Sequence, residues 1–251
     1  MILTASFSGA ASLVYEVLWI KQLALVFGST LYAISAVLCA FMMGLALGAW
    51  CIGIFLNSKS KNKEPINSIQ LYGFLEGAVG LYALFFPYGL ELLTEWYAPL
   101  VSGSLELGTQ IHWIEFGIST ALMLPATICM GATLPLIASW SIGKHSNRII
   151  ADVSKLYSLN TFGAVTGCLY TQMFAVKFFG ISGTNLTAVL MNGLVFLLNL
   201  HLHLKLKLLQ QDTDSILDTH KLRYPPHRTP IKSNENAITY THCSASLACW
   251  V

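Results

Sequence analysis

Long apolar runs separated by short polar links occupy the chain up to about residue 204. Six runs can be read, at 3–27, 31–55, 69–93, 111–140, 156–179 and 186–204. Each is close to or above the ~18–20 residues that a helix needs to cross a hydrocarbon layer ~30 Å thick. Several exceed 18 residues, which excludes a merely very apolar soluble protein. Gly28, Ser29 and Thr30 alone separate the first two runs, and residues 180–183 alone separate the last two. Links this brief make antiparallel neighbours. The fourth run is longer than a bilayer requires and contains Pro125 and Pro135. It predicts a kinked, tilted helix or one that continues beyond the bilayer as an amphipathic segment. An odd number of spans would follow if it were two re-entrant halves.

The pattern changes from about His201. Residues 208–251 are polar, contain Pro225, Pro226 and Pro230, and show no sustained apolar periodicity. They read as a disordered cytoplasmic tail. The expected fold class is therefore all-α integral membrane, with a six-helix transmembrane domain over residues 1–207 and a tail over 208–251.

Composition agrees with this picture. Charged residues make up 10% of the chain, against ~25% in soluble domains. A net charge of +2, scattered through short loops, gives no footprint for nucleic acid. No secretory signal peptide is expected, because the first run is too long and lacks a basic start. Cys39, Cys51, Cys129 and Cys168 lie in apolar runs and Cys243 and Cys249 in the tail, without metal-site spacing. No dinucleotide loop, P-loop, nucleophile elbow or zincin motif occurs, so neither a cofactor nor a metal is expected.

Orientation follows from the basic residues. Lys59, Lys61 and Lys63 follow the second run, Lys144, Arg148 and Lys155 precede or open the fifth, and Lys205 and Lys207 follow the sixth. The alternate loops at 28–30, 94–110 and 180–184 contain no lysine or arginine. The positive-inside rule then places both termini in the cytoplasm, with Lys177 mildly opposed.

Ionisable residues inside the runs are the candidate chemistry: Glu16, Lys21, Glu76, His112 and Glu115, with Asn160 as a polar companion. Charges at such depth are costly unless they face protein or water. Glu16 and Lys21 are five apart, ~140° round a helix, so they do not pair within it. Lys21 lies ~9 Å below the outer end of its run at 1.5 Å per residue. Glu115 falls at a similar outer depth on the fourth run, which predicts a Lys21–Glu115 interhelical ion pair with His112 one turn outward. Glu16 falls nearer the midplane and Glu76 in the inner half of the third run. Glu16, Glu76 and Asn160 form either a cation or proton site or a buried network that fixes helix docking. Ala40, Gly44 and Gly48, then Gly73 and Gly77, then Gly163 and Gly167 recur at four-residue spacing. Such rows let helix backbones approach closely in a bilayer.

Several segments together carry a resemblance. They are SGAASLVYEVLWIKQLALVFGST (8–30), FMMGLALGAW (41–50), LYGFLEGAVGLYALFFP (71–87), LPATICMGATLPL (124–136) and LYSLNTFGAVTGCLY (156–170). In this order they resemble the N-terminal membrane region of the fused major-facilitator/spermidine-synthase family, over almost all of residues 5–200. The resemblance implies half of a major-facilitator bundle in the cell inner membrane and a connection to polyamines. It marks Tyr15, Glu16 and Trp19 as the family's charged stretch in the first helix, with a basic residue at Lys21. Gly44, Gly48 and Gly53 resemble the glycine-rich loop region of major-facilitator transporters, whose Asp-Arg core is missing here. Family members continue into an aminopropyltransferase-like domain, and nothing after Leu204 resembles it. The resemblance thus implies a membrane domain that handles a polyamine-like cation or positions an enzyme for it. The partners it implies are the lipid bilayer and a second copy or a separately encoded aminopropyltransferase. A structural membrane anchor and a truncated or frameshifted family member are the alternatives.

Overall fold

The computed structural model describes residues 2–28, 31–61, 67–102, 110–144 and 149–223. Among them every regular element is helical and no strand occurs: α1 (Ile2–Phe27), α2 (Leu31–Lys61), α3 (Ser68–Ser102), α4 (Gln110–Lys144), α5 (Ile149–Tyr170), a π-helical turn (Thr171–Ala175) and α6 (Val176–Arg223). Contacts divide the chain into one unit through Leu206 and another from Lys207, and the helical bundle lies in the first.

Among the described residues, five helical stretches are long and apolar enough to cross a membrane: Leu3–Phe27, Ile34–Lys61, Ser68–Tyr97, His112–Trp140 and Ile150–Leu208. The outward surface is apolar, with Met42, Trp50, Phe74, Phe85, Phe162, Leu190 and Leu197 all exposed. Water would penalise that surface, whereas lipid is its matching solvent. Trp96 and Trp113 are 75% and 76% exposed near the α3–α4 connection. Amphipathic rings in such positions suit the headgroup level.

Helix ends differ from the hydropathy boundaries. α2 reaches Lys61, α3 reaches Ser102 and α4 reaches Lys144, each beyond its apolar run. Backbone hydrogen bonding carries a helix past the point where its side chains cease to be apolar. The same effect corrects the tail. α6 continues to Arg223, so residues 208–223, expected to be disordered, are helical. That segment contains neither glycine nor proline before Pro225, which removes the strongest helix breakers. Residues 224–251, with Lys63, Arg148, Cys243 and Cys249, lie outside the described residues.

Contact registers give each helix a direction. Tyr72 donates to the Thr4 carbonyl (3.2 Å) and Ser8 to the Glu76 carboxyl (2.5 Å), so α1 and α3 run parallel. Ser6 donates to the Leu159 carbonyl (3.1 Å), and Gly163 and Gly167 sit against Ser6 and Ala10, so α5 also runs parallel to α1. α4 opposes α3, since Ser68 meets Ser139 near one end and Tyr97 meets Glu115 near the other. α6 opposes α3 as well: Asn185 donates to the Ala83 carbonyl (2.8 Å), Asn192 packs on Gly80, and Asn199 packs on Gly73. α5 and α6 are therefore antiparallel, and the 59-residue stretch Ile150–Leu208 reverses within itself.

Gly180 makes the reversal. Its φ of 67° with ψ of −174° belongs to a region that only glycine enters cheaply. No atom outside the local chain lies within 4 Å of a Cβ built there. Gly180→Ala should thus cost about 1–3 kcal/mol through the backbone alone. Thermal unfolding in detergent measures this; an unchanged midpoint would contradict the strained turn.

The bundle centres on α1. Ala11, Val14, Tyr15, Leu18, Trp19 and Leu23 are all fully buried. Trp19 stacks between Tyr15 (5.4 Å) and Phe86 (4.5 Å), with Tyr82 edge-on at 6.4 Å. Gly44 and Gly48 of α2 lie against Thr127 and Ile128 of α4, and Gly131 of α4 against Leu45. Gly73 and Gly77 face Asn199 and Phe196 of α6.

Candidate functional site

Among the described residues the three buried carboxyls, Glu16, Glu76 and Glu115, occupy three different environments. Glu115, 3% exposed on α4, accepts a hydrogen bond from the Tyr97 hydroxyl (3.1 Å), and its other oxygen meets His112 Nδ1 (3.2 Å). The His112 ring stacks on Tyr32 of α2 at 4.5 Å. These contacts tie together the end of the bundle at which α2 and α4 begin and α3 finishes. Lys21 is not part of this cluster, and among the described residues it forms no ion pair within 4 Å. The expected Lys21–Glu115 pair is thus replaced by Tyr97 and His112. Lys21 follows Trp19 by two residues, ~200° round the helix. It therefore points away from the side on which Trp19 meets α3, and matching depth could not supply matching direction.

Tyr97→Phe should remove one of the two side-chain partners of Glu115 and cost about 1–3 kcal/mol, as leaving a buried acceptor unsatisfied does. Denaturant-dependent unfolding in micelles checks it, and a change below a few tenths would remove Tyr97 from the cluster.

Glu76, 3% exposed on α3, accepts from Ser8 of α1, and the Tyr72 hydroxyl lies beside it. It sits where α1 and α3 meet. Glu16 differs from both. It is 7% exposed, yet it has no hydrogen bond or ion pair among the described residues. Tyr15 and Trp19 turn toward α3, and the helical repeat sets Glu16 ~100° away from Tyr15. Glu16 thus falls on the α1 face that carries Ser12 and Leu13, one turn earlier.

That face borders a cavity of ≈ 270 Å³ between α1, α2, α4 and α5. Its lining includes Gly9, Ser12, Phe41, Thr133 and Asn160. Gly9 allows the Asn160 backbone to come so close that a Cβ would strike its carbonyl. The volume is far above the ~10–15 Å³ that one water needs and near the lower end of small-ligand pockets, ~300–1,000 Å³.

The hydroxyls of this cavity are oriented by their own helices. Ser12 donates its proton to the Ser8 carbonyl (3.0 Å), and Thr133 donates to the Met130 carbonyl (2.7 Å). A hydroxyl has one proton and two lone pairs, so both groups keep only acceptor capacity for a guest. Asn160 adds an amide, whose oxygen accepts and whose NH2 donates. A cavity with such acceptors, one helical turn from an unpartnered carboxyl, is matched by a ligand that carries N–H donors and positive charge.

The structure thus brings Asn160 and the Glu16 face to one cavity and places Glu76 at a different helix junction. Three residues that were not singled out from the sequence also stand out. Asn185, Asn192 and Asn199 are all buried on the α6 face that meets α3. Their uniform seven-residue spacing, which keeps one helix face, was the available signal. Comparison of the chain with protein-family models, curated proteins and solved structures finds no match in any of the three.

Proposed function

We propose that this chain is a six-span membrane domain that binds a polyamine-like organic cation in the cavity between α1, α2, α4 and α5. Glu16 supplies the countercharge, and Ser12, Thr133 and Asn160 supply the acceptors. The observation that carries the reading is Glu16, buried without a partner among the described residues, one helical turn beyond Ser12 of a cavity whose hydroxyls present only lone pairs. The resemblance to the membrane region of fused major-facilitator/spermidine-synthase proteins supplies the polyamine class. In this reading Ile150–Leu208 crosses the bilayer twice, turning at Gly180, and the bundle corresponds to half of a major-facilitator fold. In the same reading the protein resides in the inner membrane, and the basic loops support a cytoplasmic side for Lys59, Lys61 and Lys155. A second copy or a separately encoded aminopropyltransferase-like enzyme completes the path, because transporter sites lie between paired repeats.

Spermidine titrated onto the protein in lipid nanodiscs tests the reading, with an uncharged alcohol of similar length as control. Saturable heat with spermidine alone is expected. No binding of either would leave the second reading, a membrane anchor. That reading draws on Glu76 and Glu115, whose protein partners already account for them as docking groups.

A further inference from the structure

The interface of α1, α3 and α6 contains a second polar feature, separate from the cavity. Asn192 and Asn199 are each 1% exposed, and the Oδ1 of both is buried without a partner. Asn199 returns its amide to its own helix, at the Val195 carbonyl (2.7 Å). The hydroxyl of Tyr15, on α1 and fully buried, also lacks a partner among the described residues. Buried polar atoms are nearly always satisfied, so these orphans along one interface, which Trp19 Nε1 of α1 joins, require a common explanation.

Register orders these groups around Glu76. Asn199 lies opposite Gly73 and Asn192 opposite Gly80, which puts one asparagine about a turn inward of Glu76 and the other about a turn outward. Gly73, Gly77 and Gly80 present no side chains toward α6, and Asn199, Phe196 and Asn192 of α6 pack directly against them. The titratable groups facing Glu76 are Tyr15 of α1 and Tyr72 of α3, and α6 contributes none but the amides. Glu76 has no cationic partner among the described residues. Its protein contacts are hydroxyls: one is donated by Ser8, and the Tyr72 oxygen, whose own proton goes to the Thr4 carbonyl, can accept.

We infer that this seam is a hydrated proton site. Ordered waters bridge Asn199, Glu76, Asn192 and Tyr15, and Glu76 holds one exchangeable proton as a carboxylic acid, received from and returned to that water. Water supplies both a donor to each orphan oxygen and a route for the proton, whereas a metal cation would need several anionic ligands that the seam lacks. The site does not depend on what the cavity between α1, α2, α4 and α5 binds.

Infrared spectroscopy of the full chain in lipid vesicles tests it without any ligand. At neutral pH a carboxylic-acid carbonyl band is expected, shifting to lower frequency in heavy water and lost in Glu76→Gln. Asn192→Leu and Asn199→Leu, which fill the water positions with apolar groups of similar size, should slow the exchange at least tenfold. Circular dichroism confirms that each variant is folded. If Glu76→Gln does not insert, loss of the band by carbodiimide modification mapped to Glu76 by mass spectrometry serves in its place. The inference is overturned by the absence of the band in the wild type, by its persistence after Glu76 is changed or modified, or by exchange that is unaffected in both leucine variants.

Discussion

Gly163→Val is expected to prevent α1 from docking on α5 and to give the largest loss of stability of any single substitution discussed for this chain. A Cβ at Gly163 would run into the Ser6 carbonyl, which is helix backbone and cannot swing aside. Overpacking usually costs about 1–3 kcal/mol because neighbouring side chains yield. Here the helices must separate, so the cost lies at or above the top of that range. Separation also breaks the Ser6–Leu159 hydrogen bond and uncovers Gly167 and Ala10 one turn on. Gly193→Ala is the matched control, because a Cβ there meets nothing within 4 Å. It should be neutral or stabilising, since alanine is favoured over glycine in a helix by up to about 1 kcal/mol. Intrinsic fluorescence during heating reads both variants, with buried Trp19 as reporter. Equal midpoints for Gly163→Val and the wild type would refute the close contact of α1 with α5.

Glu16→Gln should weaken cation binding strongly while leaving the fold intact, and that separation is what makes it informative. Truncating one partner of a buried charge pair costs about 2–5 kcal/mol. At ~1.4 kcal/mol per decade this weakens spermidine affinity ~30-fold or more. Stability should hold or rise, because Glu16 has no protein partner to lose and an isolated buried charge is itself unfavourable. Glu115→Gln should do the reverse, lowering the unfolding midpoint through Tyr97 and His112 and leaving affinity unchanged. If Glu16→Gln binds spermidine as tightly as the wild type, the cavity reading fails. If it unfolds instead, Glu16 is a docking group and the anchor reading gains.

Run length alone made the helical, membrane-spanning character legible, because a bilayer imposes one length scale on every span. The glycine rows were equally visible, but a row does not name the helix it meets. That Gly163 meets Ser6, and Gly44 meets Thr127, depends on packing order, which local pattern does not encode. The Lys21–Glu115 expectation shows the same gap. Rise per residue fixes depth, while contact also requires the side chains to share an azimuth, and Trp19 takes the side toward α3. The separation of Glu16 from Glu76 follows likewise from their facing different neighbours. The donor state of Ser12 and Thr133 was beyond the sequence altogether, since it depends on a rotamer that returns each proton to its own helix.

The pairing of α1 with α5 has a consequence for how the protein is made. Ser6 and its partner Leu159 are 153 residues apart in the chain. At ~5–20 residues per second, the ribosome completes α5 roughly 8–30 s after α1 has emerged. During that interval the face of α1 formed by Ser6, Gly9 and Ala10 has no helix to cover it, and Glu16 lies in hydrocarbon or at the insertion machinery. The first span is thus committed to the membrane long before its longest-range partner exists. Insertion factors that shelter a polar helix should therefore crosslink to residues near Glu16 in nascent chains that end before α5, and release them once α5 has been synthesised.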